Sequence, residues 1–168
     1  MPDLLAHALI AYTLGHVLSW RYDWLSSPYV TVVMAGAFIP DLMKIVLVVP
    51  GEMVEVATGF PFDWFALHTL GGCLISVGIG VVLAANKERR RVAALLTLGM
   101  SSHLIADAFL ITPSGRAFPL FWPLTRYQPA LPGLYLSTDP LPMIVTGVAG
   151  LAALIISRSR QAVRLRSR

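Results

Sequence analysis

VAALLTLGMSSHLIADAFLI, residues 92–111, decides how the rest of the chain is read. The run has the length and apolarity of a bilayer-spanning helix, yet it holds His103 and Asp107. Four residues make about one helical turn, so both polar side chains project from the same face.

The composition around this run supports a membrane reading. The chain has 168 residues, 56% of them hydrophobic and only 13% charged, against about 25% charged in an ordinary soluble protein. The apolar residues are gathered into five stretches, 2–20, 28–49, 63–85, 92–111 and 140–157, each near the ~20 residues that cross a bilayer. The expected fold is all-α: a polytopic membrane bundle of about five transmembrane helices. It forms a single domain over 1–157, with an outer loop at 112–139 and a basic cytoplasmic tail at 158–168. The first stretch could instead be a signal peptide, but it lacks a basic leading region and a small-residue cleavage site.

Charge placement supplies an orientation. Formal net charge is +4, and the positives concentrate in Asn86-Lys87-Glu88-Arg89-Arg90-Arg91 and in the tail, at Arg158, Arg160, Arg164, Arg166 and Arg168. Basic loops stay on the cytoplasmic side of a bacterial inner membrane or plasma membrane. With five spans this puts the N-terminus outside and the C-terminus in the cytoplasm. Lys44, Arg116 and Arg126 then fall on the outer side as exceptions. A basic tail also suits nucleic acid, but beside a span it reads as an orientation signal that attracts anionic lipid. The expected partner is therefore the lipid bilayer and not a nucleic acid. Oligomeric state is left open. A single cysteine, Cys73, excludes an intramolecular disulfide and a thiolate metal cluster.

Ionisable groups placed centrally in a span cost about 2.5–3.5 kcal/mol each and are retained where they pair or line a cavity. His7, Asp41, His68, His103 and Asp107 all lie within predicted spans. Counted from the outer ends, they fall roughly 6–12 Å below the outer surface at 1.5 Å per residue. Three imidazoles and two carboxylates at one depth are a nitrogen and oxygen donor set suited to a divalent metal, with zinc the first choice. In this reading all five are metal ligands, and Asp107 and Asp41 are also the candidate catalytic groups. Plainer readings exist for some of them. Asp41, in Ile39-Pro40-Asp41, can satisfy backbone freed by Pro40 or pair with Lys44. His16 can bond a neighbouring helix. The whole set can be a polar network joining helices, or a proton path.

The stretch TPSGRAFPLFWPLTRYQPALPGLYLSTDP, 112–140, is too long for a mere connection. Its aromatics suit anchoring at the membrane interface. Starting five residues beyond Asp107, it also suits a lid over the polar layer. Arg116 and Arg126 would then bind the substrate, since guanidinium forks match phosphate oxygens.

These motifs resemble a known family. His7 near the N-terminus, Ile39-Pro40-Asp41, His68-Thr69-Leu70, Ser102-His103 with Asp107, Thr112-Pro113-Ser114-Gly115 and Phe121-Trp122-Pro123 resemble, in order and spacing, the YdjM-like membrane-bound metal-dependent hydrolases. The set is also similar to the helical zinc-dependent phospholipase C and single-strand nuclease superfamily, which carries a His-x-x-x-Asp or His-x-x-x-Glu helix. The resemblance implies a helical inner-membrane hydrolase with these histidines and aspartates as ligands, acting on a phosphoester. This chain departs from the pattern at Met43, where many members have a second acid. It departs again at Asp63-Trp64-Phe65, where they have His-Arg-Gly, leaving Asp63 as a substitute oxygen ligand.

The expected function is thus a membrane-embedded, metal-dependent hydrolase of a phosphoester or lipid-linked substrate, using metal-activated water. The alternatives are a non-catalytic metal- or proton-handling protein, such as a transporter or chaperone subunit, and a structural membrane protein.

Overall fold

The computed structural model describes residues 4–130 and 133–166, with side chains described up to residue 160. Arg164, Arg166 and Arg168 of the basic tail, and residues 1–3 of the N-terminal motif, therefore lie outside the described side chains. The described residues form six α-helices and two 3-10 helices: α1 (Leu4–Ser19), α2 (Ser27–Phe38), a 3-10 helix (Pro40–Leu47), α3 (Gly51–Thr58), a second 3-10 helix (Trp64–His68), α4 (Leu70–Leu83), α5 (Arg89–Ala108) and α6 (Leu141–Arg166). The all-α expectation holds.

Five full spans do not. Among the described residues, one helix is long and apolar enough to cross a membrane by itself: α6, over residues 141–160, with a mean hydropathy of 1.8. The expected second span breaks at Pro40, where α2 and the following 3-10 helix meet at 58°. Proline has no N–H to close the last turn, and its ring clashes with the carbonyl four residues back. Hydropathy runs smoothly through this point and registers no bend. The expected third span is likewise divided between the Trp64–His68 turn and α4. At 16 and 14 residues, α1 and α4 extend about 24 and 21 Å, short of the roughly 30 Å hydrocarbon core.

Close helix packing gathers the broken ends. In the centre α5 lies against α2, and α1 packs against both α2 and α6. A Cβ added to Gly36 would collide with the Leu96 carbonyl, and one added to Gly99 would collide with the Val33 carbonyl. The α2 and α5 backbones are therefore nearly in contact, as small residues allow in membrane bundles. Ala11, Val30, Val33, Ala37 and Leu95 fill one side of this seam; Ile39, Cys73, Val77, Leu96 and Met100 fill the other.

The outer surface is strongly apolar. Along α6, Ile144, Val148, Leu151 and Ile155 are each more than half exposed, forming one stripe at helical spacing. On α4, Ile75, Ile79 and Val82 are similarly bare. An apolar covering of this extent is unusual for a protein surrounded by water.

Candidate metal centre

Local sequence fixes each polar side chain of the core. The break at Pro40 leaves carbonyls at the end of α2 in want of donors. His103, on α5, fills one vacancy: its Nδ1–H donates to the Ala37 carbonyl at 2.7 Å. His68 Nδ1–H donates to the Pro40 carbonyl at 3.3 Å. The turn carrying His68 is capped at both ends. Asp63 accepts from the Phe65 amide at 2.8 Å, and Thr69 opens α4 by accepting from the Gly72 amide at 3.2 Å. His7 is presented by α1, Asp107 by α5 and Asp41 by the first 3-10 helix.

The result is a convergence on Asp107. His7 Nε2 lies 3.3 Å from its Oδ1, while His68 and His103 Nε2 lie 3.0 and 3.3 Å from its Oδ2. Asp41 Oδ1 lies 4.0 Å from His103 Nε2, and its Oδ2 accepts from Lys44 Nζ at 2.8 Å. All five side chains are at most 6% exposed. The His7 and His103 rings stack, with centroids 3.7 Å apart and planes at 15°.

Protonation follows from the partners. A carbonyl only accepts, so His68 and His103 carry hydrogen on Nδ1, and in a neutral ring Nε2 is then a lone pair. Those lone pairs face a carboxylate. Moreover, His7 Nε2, His103 Nε2, Asp41 Oδ1 and both Asp107 oxygens are buried without a hydrogen bond of acceptable geometry. Buried polar atoms are normally satisfied, and stacked rings disfavour a full set of imidazolium charges. A cation among these atoms relieves the conflict at the carboxylates and at Nε2, leaving His7 Nδ1 as a buried ring nitrogen without a partner. The donors fit one: His7, His103 and Asp107 offer ligand atoms all within 4.8 Å of one another. His7, His68 and His103 Nε2 stand 3.0–3.3 Å from Asp107 oxygens, close to the ~3.3 Å ligand–ligand edge of a tetrahedron with metal–ligand distances near 2.0 Å. Carbonyl bonds at Nδ1 that orient Nε2 are also a usual support for metal-binding histidines.

The other expected groups are distributed differently. Asp63 is an exposed cap and takes no part in the cluster. His16 lies at the opposite end of α1, with Nδ1 3.2 Å from Ser157 Oγ, in agreement with a helix-joining role. Arg116 and Arg126 are exposed. Arg116 lines a groove of about 310 Å³ that shares Ala117 and Phe118 with a smaller cavity of about 140 Å³. That smaller cavity has His68 and Asp107 in its wall, together with Phe118, Leu120, Phe121 and Tyr127; Arg126 lines neither.

Two loop residues were not distinguished by sequence. Phe118 meets the His68 ring edge-on at 5.0 Å, and Tyr135 donates to the Ala106 carbonyl at 2.6 Å, beside Asp107. Nothing in the sequence separates these two aromatics from their neighbours. The loop itself is pinned down by the Leu70 amide, which donates to the Leu120 carbonyl at 2.8 Å.

Fold and cluster together define a helical protein with an apolar exterior and a buried His/Asp centre. Family comparison is consistent with that class: the family model described as YdjM inner membrane protein matches residues 1–166, so the chain belongs to the YdjM family of inner membrane proteins. No curated protein and no solved structure matches it.

Proposed function

We propose that this protein is a membrane-embedded, metal-dependent hydrolase. A divalent cation of the zinc type would be held by His7, His68, His103 and Asp107, with Asp41 beside them. The observation that carries the reading is the convergence of three imidazole Nε2 atoms on one buried carboxylate, with two of the rings locked by backbone carbonyls. When bound, such a cation supplies Lewis acidity and acidifies water.

The protein's own groups do the rest. Asp41 Oδ1, buried and without a hydrogen-bond partner, is the available proton acceptor, while Lys44 fixes its other oxygen. Phe118 and Leu120 limit access of water. The cavity at His68 and Asp107 is walled mostly by apolar side chains, which suits an aliphatic portion of substrate better than a bare anion. A lipid-linked phosphoester or ester is the substrate class, with Arg116 in the adjoining groove to hold an anionic group. The proposed orientation follows the basic segments, with residues 86–91 and the tail in the cytoplasm and the cluster toward the other face. In this arrangement the bundle forms one domain over 1–157, with the short helix α1 embedded against α6 and the short helix α4 against α5.

Metal content of detergent-purified protein tests the reading, comparing wild type with His103→Ala and His68→Ala, together with hydrolysis of a generic phosphodiester and of phospholipid. The expected result is a stoichiometric metal lost in both variants, with turnover lost in parallel. Wild-type protein devoid of metal would sink the proposal. A second reading, non-catalytic metal or proton handling, is favoured by the deep burial of the cluster and by the Lys44 bond to Asp41. It predicts metal binding without turnover.

A further inference from the structure

A second built pocket lies at the other end of the bundle. It occupies about 360 Å³ between the C-terminal end of α1, the start of α2 and the middle of α6, and its wall includes His16, Ser19, Trp20, Ser26, Arg158 and Arg160. We propose that this groove binds a phosphate anion, presented by the headgroup of an acidic phospholipid or free in solution.

The side chains are arranged for this. Trp20 Nε1–H donates to Ser157 Oγ at 2.8 Å, and Ser157 is also 3.2 Å from His16 Nδ1. This ties α1 to α6 at the floor of the groove. The Arg160 guanidinium stacks over the Trp20 ring, 5.1 Å from its centroid, so its donors are held in place. Arg158 and Arg160 are two apart on α6 and do not face each other along the helix; they can approach an anion from different sides. The hydroxyl of Ser26, which makes no capping bond to α2, adds a neutral donor. Asp23 also lines the wall, leaving two guanidiniums against one carboxylate.

The surroundings favour a headgroup as the source. Trp24 and Tyr29 lie at the same end, with the Arg91 guanidinium 5.0 and 5.7 Å from their rings. Aromatic rings interleaved with arginines are typical of the headgroup level of a membrane, and basic pockets between helices recognise anionic headgroups there. The groove is far along α1 from His7, so binding there does not depend on the metal centre.

The experiment uses the full chain in detergent, re-lipidated with phosphatidylglycerol or with phosphatidylcholine, or given inorganic phosphate without lipid. Retained lipid is read by native mass spectrometry and stability by thermal unfolding. Wild type should retain and be stabilised by phosphatidylglycerol and not phosphatidylcholine. Arg158→Gln with Arg160→Gln should weaken retention about thirtyfold, Lys at both positions should restore much of it, and Arg90→Gln should leave it unchanged. Stabilisation by inorganic phosphate alone, lost in the same double variant, identifies free phosphate as the source. The proposal is overturned if neither form binds, or if the folded double variant retains phosphatidylglycerol as wild type does.

Discussion

At the scale of single residues, Asp107 is the point on which the centre turns, because three rings are aimed at its two oxygens. Asp107→Asn keeps the shape and removes the charge. Loss of one partner from a buried charged set typically destabilises by about 3–5 kcal/mol, and the amide is a poor ligand. The variant should therefore melt well below wild type and purify without metal, as calorimetry and elemental analysis would register; wild-type metal content would contradict the assignment. The convergence itself was legible in sequence, since ionisable groups within apolar runs are costly unless they work together. What could not be read was each ring's other partner. The Ala37 and Pro40 carbonyls are backbone atoms on either side of a local bend. The Lys44 bond to Asp41 was anticipated as an alternative for Asp41, and the structure shows one oxygen taken by lysine and the other facing His103.

At the scale of elements, the break after α2 and its close approach to α5 act as one device. Gly99 sits one turn before His103, and its missing Cβ lets the Val33 carbonyl come close. Gly99→Ala should push the two helices apart, costing about 1–3 kcal/mol as overpacking does. It should also lengthen the His103 to Ala37 bond, so that metal affinity falls although no ligand has changed. Unaltered stability and affinity would show that the seam is looser than its contacts imply. Helix identity was readable here: the apolar stretches 92–111 and 140–157 became α5 and α6. The stretches 28–49 and 63–85 did not become continuous spans, because hydropathy measures how apolar a segment is and not whether its axis bends. Pro40 and the Asp63 and Thr69 caps divide them, each through backbone hydrogen bonding that apolarity does not record.

At the scale of the whole molecule, the exterior and the centre make opposite demands. The exposed stripe on α6 is at ease in lipid, while the His/Asp cluster in the core relies on mutual pairing and, in the proposed reading, on a cation. Removing that cation with a strong chelator should lower the melting temperature, and adding zinc back should restore it. Saturation to a hundredfold above the dissociation constant corresponds to about 2.7 kcal/mol. A melting temperature indifferent to chelator would mean that protons alone balance the cluster. The contact between His7 and Asp107 has a kinetic side as well. It joins positions roughly a hundred residues apart, a long loop to close, and clips across long loops restrict the unfolded chain most. During synthesis α1 must wait, its histidine unmatched, until α5 has been made. The clasp therefore cannot close before α5 exists, and the contacts of His16 and Trp20 to Ser157 on α6 close a still longer loop after it.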